Sequence, residues 1–187
     1  MVQLVPNLLR QEVARLAEQD ARIDGRDRFE GRDFTLETDC LYNAEGSAKV
    51  TMGKTVVYAG VKFEIRTPWP DRPAEGSLMC GAELRPVAHR KYEPGPPSPE
   101  SIELGRVVDR GIRESGCIDM SSLCIVPGEK VWGVMIDIHV LSDGGNIFDA
   151  CGLAAIAALR TAVVPVSYTH LRAHETRGNL VCRLLLE

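Results

Sequence analysis

At 187 residues the chain suits one ordinary globular domain, and with 44% hydrophobic residues it is too apolar to stay disordered. A formal net charge of −4 excludes a globally basic nucleic-acid binder, so any nucleic-acid contact must come from a local basic patch or a surface completed by a partner. No stretch reaches the roughly 20 apolar residues of a membrane span or holds the apolar run of a signal peptide, which points to a soluble, cytoplasmic protein.

In chain order, residues 7–19 predict an amphipathic helix with Leu8, Leu9, Val13 and Leu16 on one stripe. A polar connector, Ile23-Asp24-Gly25-Arg26, leads into charged residues as far as Asp33. Alternating apolar and polar positions then predict a strand over 34–39, and β-type runs predict two more over 47–52 and 55–65, divided by a hairpin-like Gly53-Lys54. A fourth strand is expected over 77–84.

Glu93-Pro94-Gly95-Pro96-Pro97 is too proline-rich for a helix or a central strand and reads as a stiff exposed loop. Ser98-Pro99-Glu100 then opens a helix: a serine cap, proline at the first helical position, and an acid that complements the dipole. That helix is expected to run to about Ser115. A short strand near 123–126 ends at Pro127-Gly128, and 131–141 gives the strongest strand pattern. There Trp132, Val134, Ile136, Ile138 and Val140 share one face, with Asp137 and His139 on the other. After the Asp143-Gly144-Gly145 turn, 146–162 reads as a helix that is apolar almost all round and therefore buried. Strands followed by helices packed on them give an α+β fold.

The cysteines Cys40, Cys80, Cys117, Cys124, Cys151 and Cys182 form no C-x-x-C, which argues against a zinc ribbon, and several sit in apolar runs as small hydrophobes. From about Val166 the periodicity is lost, and Tyr168 to Arg177 resembles translated read-through of a sequencing adapter. Residues 166–187 are therefore read as a non-native tail. His170, His174 and Glu175 would share a helix face, but no further metal ligand accompanies them and H-E-x-x-H is absent.

Chemistry concentrates in the helix after the proline loop. Leu104, Val107, Val108 and Ile112 form its apolar stripe, while Arg106, Arg110 and Arg113 recur at spacings of four and three on the opposite face. Three guanidinium groups in a row can clamp successive phosphates. Glu103, Asp109 and Glu114 flank them, so pattern alone favours a solvated face laced with salt bridges. Asp137 and His139 could form an acid–base pair, yet no nucleophile is placed to use them. Gly144-Gly145-Asn146 could cradle an anion, or simply be a turn and helix cap. Lys54 after Gly53 lacks the glycine spacing of a P-loop.

Several segments together resemble RNase PH-like exosome subunits over about residues 20–165. They are Ile23-Asp24-Gly25-Arg26, Ala44-Glu45-Gly46-Ser47-Ala48, Gly53 to Val61, Glu93 to Pro97, Ile102 to Arg113, and Asp143 to Ala150. The resemblance implies an RNase PH-like (ribosomal protein S5 domain 2-like) β-α fold, a mixed or antiparallel sheet packed against helices. It divides the chain into an N-terminal helix (1–22), RNase PH-like domain 1 (23–165) without the family's second subdomain, and the tail. It also implies a hexameric ring of alternating active and silent subunits, which shortens RNA from its 3′ end as inorganic phosphate attacks the terminal linkage and releases nucleoside diphosphates.

Active members of the family carry an arginine pair at the start of the central helix, where this chain has Pro99 and Glu100. They carry a Ser/Thr-Arg step after the Asp-Gly turn, where this chain has Asn146-Ile147, and a catalytic aspartate further downstream. Holding an attacking phosphate requires cations, so the resemblance implies a silent subunit with no catalytic residue, metal or cofactor of its own, the phosphate being used in the partner's site. By motif position Arg106 and Arg110 match RNA-facing arginines, with Arg113 added by helical spacing. The implied partners are an active RNase PH-type subunit, RNA and exosome cap proteins. The alternatives are an exoribonuclease in its own right and a fragment that does not assemble.

Overall fold

The computed structural model describes residues 4–165, and the expected tail at 166–187 lies outside them. The chain divides into two compact units at Asp33/Phe34. In the first, α1 (Leu4–Glu18) is followed by a turn closed by an Ala21–Asp27 bridge, and Arg26 holds Asp24 at 2.8 Å. Leu8, Leu9 and Val13 are exposed.

The second unit is built on a mixed sheet of β1 (Phe34–Thr38), β2 (Gly46–Met52), β3 (Thr55–Arg66), β4 (Ser77–Leu84), β5 (Cys124–Val126) and β6 (Lys130–Ser142). Its order is β1-β2-β3-β6-β4, with β5 paired to β6. The β3–β6 pair is antiparallel, whereas β4 runs parallel to β6. A parallel pair cannot be closed by a hairpin. Here the crossover is α2 (Pro99–Ser115), a short 3₁₀ turn (Met120–Leu123) and β5.

Alternation sorts the sheet into two faces. Val50, Val57, Ala59, Val61, Ile136, Ile138 and Val140 are buried beneath α2 and α3 (Ile147–Thr161), while Asp137 and His139 lie exposed on the other face. Each such valine or isoleucine contributes roughly 1.5–3 kcal/mol by leaving water. Close approach needs small residues: a Cβ on Gly46 would lie 2.6 Å from Ala162 Cα, and one on Gly105 would lie 3.3 Å from Cys80 O. Thus α3 seats on β2 and β3, and α2 on β4.

The helix at 147–161 is buried on one side only. Ala150, Cys151, Ala154, Ala155, Ala158 and Leu159 face the sheet, but Phe148, Leu153 and Ile156 are 41%, 40% and 36% exposed. Small alanines fill the sheet side, and no described layer covers the large residues opposite. No helix among the described residues is long and apolar enough to cross a membrane.

Candidate functional site

The central helix α2 starts as its sequence dictates. Ser98 sits in extended geometry (φ −71°, ψ 160°) and its Oγ accepts from the Ser101 N–H at 3.2 Å, with Pro99 following. Ser101 Oγ in turn donates to Ala82 O, pinning the first turn to the end of β4. Gly116 closes the helix in the left-handed region (φ 65°), where glycine carries no steric cost. Leu104, Gly105, Val108 and Ile112 face the sheet, while Val107, expected in the apolar stripe, is exposed.

The arginine row divides. Arg113 donates to Asp109 (Nη2–Oδ1 2.9 Å, Nε–Oδ2 3.1 Å) and to Leu78 O at 3.0 Å. Arg106 and Arg110 are exposed and have no hydrogen-bond or ion-pair partner among the described residues. The salt-bridge lacing suggested by the flanking acids is thus confined to Asp109–Arg113. Pro99, Ile102, Glu103, Arg106, Val107 and Arg110 line a shallow groove of about 510 Å³ along the outer face.

At the end of the strands where α2 and α3 begin, the first turns of both helices carry no cation and Lys91 is already engaged, while Lys54 and Arg90 are exposed. Pro99 and Glu100 occupy the first turn of α2. Lys91 Nζ reaches Asp143 Oδ2 at 3.1 Å and Glu100 Oε2 at 3.8 Å, so its charge is neutralised locally. Asp143 is a hub. Its side chain is 9% exposed and accepts from Tyr92 OH at 2.7 Å and from the Gly145 N–H at 3.0 Å. Burial opposes its ionisation, but the bonds from Tyr92, Gly145 and Lys91 outweigh that and hold its carboxyl below the usual range. Burial first, and then Asp143, push the Tyr92 hydroxyl up to about 12.

The glycine turn is no anion cradle. The Gly144 N–H donates to Thr55 Oγ at 3.0 Å, the Gly145 N–H to Asp143, and Asn146 Nδ2 to Asp149 at 2.9 Å. Asn146 itself lies in the left-handed region (φ 59°) and makes no side-chain cap. A Cβ on Gly144 would come within 2.7 Å of Lys54 Cβ, so glycine lets the β2–β3 hairpin tip pack against this turn. Ile147 packs against the core.

Asp137 and His139 do not form an acid–base pair: His139 Nδ1 lies 3.5 Å from Glu83 Oε2, its cross-strand neighbour, and Asp137 stands opposite Gly81. Burial above all drives the Cys80 and Cys151 thiols up to about 12, which leaves them protonated and unreactive near neutrality. The Asp143–Tyr92–Lys91 hub escaped sequence reasoning because its members are about fifty positions apart. The Tyr92 and Lys91 positions beside the proline loop were the available signal.

Comparisons with known proteins agree with this architecture. Residues 30–165 match the model of the 3′ exoribonuclease family, domain 1, RNase PH. The exosome complex component Rrp42 of Methanosarcina acetivorans is 52% identical over 165 residues, which cover 88% of this chain and 62% of that relative. The chain therefore spans under two thirds of the length of this curated relative. Among solved structures, a chain of the Archaeoglobus fulgidus exosome with RNA bound to the active site superposes with a TM-score of 0.82 at 49% identity, covering 85% of this chain and 63% of that one. A chain of an archaeal exosome core gives 0.73 at 45%, covering 83% and 59%. On this match and these relatives, the chain belongs to the 3′ exoribonuclease family, with residues 30–165 forming its RNase PH domain 1.

Proposed function

We propose that the chain is a non-catalytic, RNA-contacting subunit of a hexameric exosome ring, supporting 3′→5′ phosphorolysis in the site of an active RNase PH-type partner. One observation carries the reading: two guanidinium groups on α2, Arg106 and Arg110, stand exposed and without a partner among the described residues. In a chain of net charge −4, such groups are suited to successive phosphates of a single strand. Arg113 is set apart, because Asp109 and Leu78 O already occupy it.

Silence at the chemical step rests on the first turns of α2 and α3. Phosphorolysis brings an anion up to an already anionic linkage, so preorganised cations must offset the charge gathering in the transition state. Pro99, Glu100, Asn146 and Ile147 offer none, and Lys91 is matched by Asp143 and Glu100. Inorganic phosphate is accordingly used at the partner's site, and cap proteins complete the assembly, in the cytoplasm.

The test is a turnover assay with single-stranded RNA and inorganic phosphate. The chain alone should release no nucleoside diphosphate, and release should appear when the active subunit is added. Release by the chain alone would replace this reading with that of an autonomous exoribonuclease. Failure to co-elute with the active subunit would instead identify a fragment that does not assemble.

A further inference from the structure

Besides the arginine row, the sheet unit presents aromatics to solvent, among them Tyr42, Phe34 and a tryptophan, Trp69, held in a loop braced by hydrogen bonds. The β3–β4 connection, Thr67-Pro68-Trp69-Pro70-Asp71-Arg72-Pro73, is fixed at several points. Pro68 is buried, the Arg72 N–H donates to Trp69 O at 3.0 Å, the Gly128 N–H to Pro73 O at 2.8 Å, and the Gly76 N–H to Met120 O at 2.8 Å. Between two prolines, Trp69 is nevertheless 67% exposed. An indole left in water on a braced loop is pre-organised to stack, since little conformational freedom is lost when something covers it.

Its place in the fold suggests what covers it. Because α2 returns antiparallel to β4, the arginine row runs from the proline-loop end of the sheet toward the end where β4 starts. There Arg113 donates to Leu78 O, and the β3–β4 loop is bonded to Met120, just downstream of α2. Arg106 and Arg113 are about 10 Å apart along the helix axis. The C-terminal end of the Trp69 loop, at Gly76, is therefore tied to the segment just beyond the end of the row. The loop offers no free cation to a phosphate, because Arg72 is paired with Glu75 at 3.3 Å and Arg66 with Glu64 at 3.1 Å, and Asp71 beside them is exposed. A contact here would be made through the face of a base, with no phosphate bound.

We infer that Trp69 is a stacking platform for an unpaired base of the RNA strand whose phosphates lie on Arg106 and Arg110. This rests on the proposed function, and the two are separable by experiment. Stacking on an aromatic is tolerant of sequence and insensitive to salt, whereas phosphate contacts are strongly salt-dependent.

The experiment uses the full chain assembled with the active subunit, single-stranded oligouridylate as ligand, and polyphosphate as a backbone without bases. Oligouridylate should quench tryptophan fluorescence, and polyphosphate should not. The quenching should vanish in Trp69→Ala, since the other tryptophan, Trp132, is half-buried edge-on against Phe63. Trp69→Ala should weaken oligouridylate binding roughly 5- to 100-fold with an unchanged salt slope, and Trp69→Phe should recover most of the loss. Arg106→Ala with Arg110→Ala should instead flatten the slope. Full-strength binding by Trp69→Ala alongside weakened binding by the arginine variant would overturn the inference and leave the proposed function standing. Quenching produced by assembly before RNA is added would also overturn it, since the indole would then be covered by protein. If neither variant altered binding, both readings would fall.

Discussion

Arg113 and Arg106 occupy the same helix face in the sequence, yet they have different work to do. The Arg113 guanidinium spans Asp109 and Leu78 O and so ties the C-terminal half of α2 to the edge strand β4. With its side chain 45% exposed the pair is screened by solvent, and Arg113→Ala should lower stability by about 1 kcal/mol in denaturant unfolding while leaving RNA affinity unchanged. A fall in affinity as large as that of the Arg106 variant would restore all three arginines to the RNA row. Asp143 gives a second residue-scale prediction. Its folded carboxyl titrates below the ordinary range, so the unfolded chain takes up the proton first as pH falls. Its stabilisation is present above the ordinary carboxylate pKa and is lost as pH drops through the depressed folded value. Asp143→Asn should therefore be less stable at neutral pH and show a shallower loss of stability between roughly pH 5 and 2, by thermal melts. An unchanged acid limb would show that Asp143 is not the hub described.

Among the elements, those with a clean period were readable and those set by distant partners were not. Strand-type runs located β2, β3 and β4 and alternation located β6, each to within a residue or two, and Ser98-Pro99-Glu100 gave the start of α2. The parallel β4–β6 pairing left no mark in either strand, because direction is decided by the crossover between them. The 3₁₀ turn at Met120–Leu123 is held by Asp119 Oδ1 accepting from the Ser121 N–H at 3.0 Å, a local competition that periodicity does not register. The all-apolar pattern of α3 predicted burial on every side; the structure buries its alanines and leaves Phe148, Leu153 and Ile156 out. In the candidate site, the arginine positions were visible from helical spacing. Which of them were free was not, since that depends on the reach of Asp109 and of a carbonyl in β4. The seating of α3 gives the prediction for this scale: Gly46→Ala should cost about 1–3 kcal/mol, because the added Cβ meets the Ala162 backbone and that backbone has to move. A variant as stable as the original would mean that α3 is not held this closely to β2.

For the molecule as a whole, net charge and local charge point in different directions. A net charge of −4 makes the bulk of the surface indifferent or repulsive to RNA, so binding must be focused at α2 and should depend on few contacts. Few contacts give a shallow but measurable dependence on salt, about 0.7 in log–log slope for each single-strand phosphate contacted. The direct measurement is thus the salt dependence of single-stranded RNA binding by the chain assembled with the active subunit, before and after Arg106→Ala and Arg110→Ala. The double variant should bind more weakly and lose about 1.4 from the slope. Identical affinity and slope would contradict the assignment of α2 to RNA and return both arginines to the solvent.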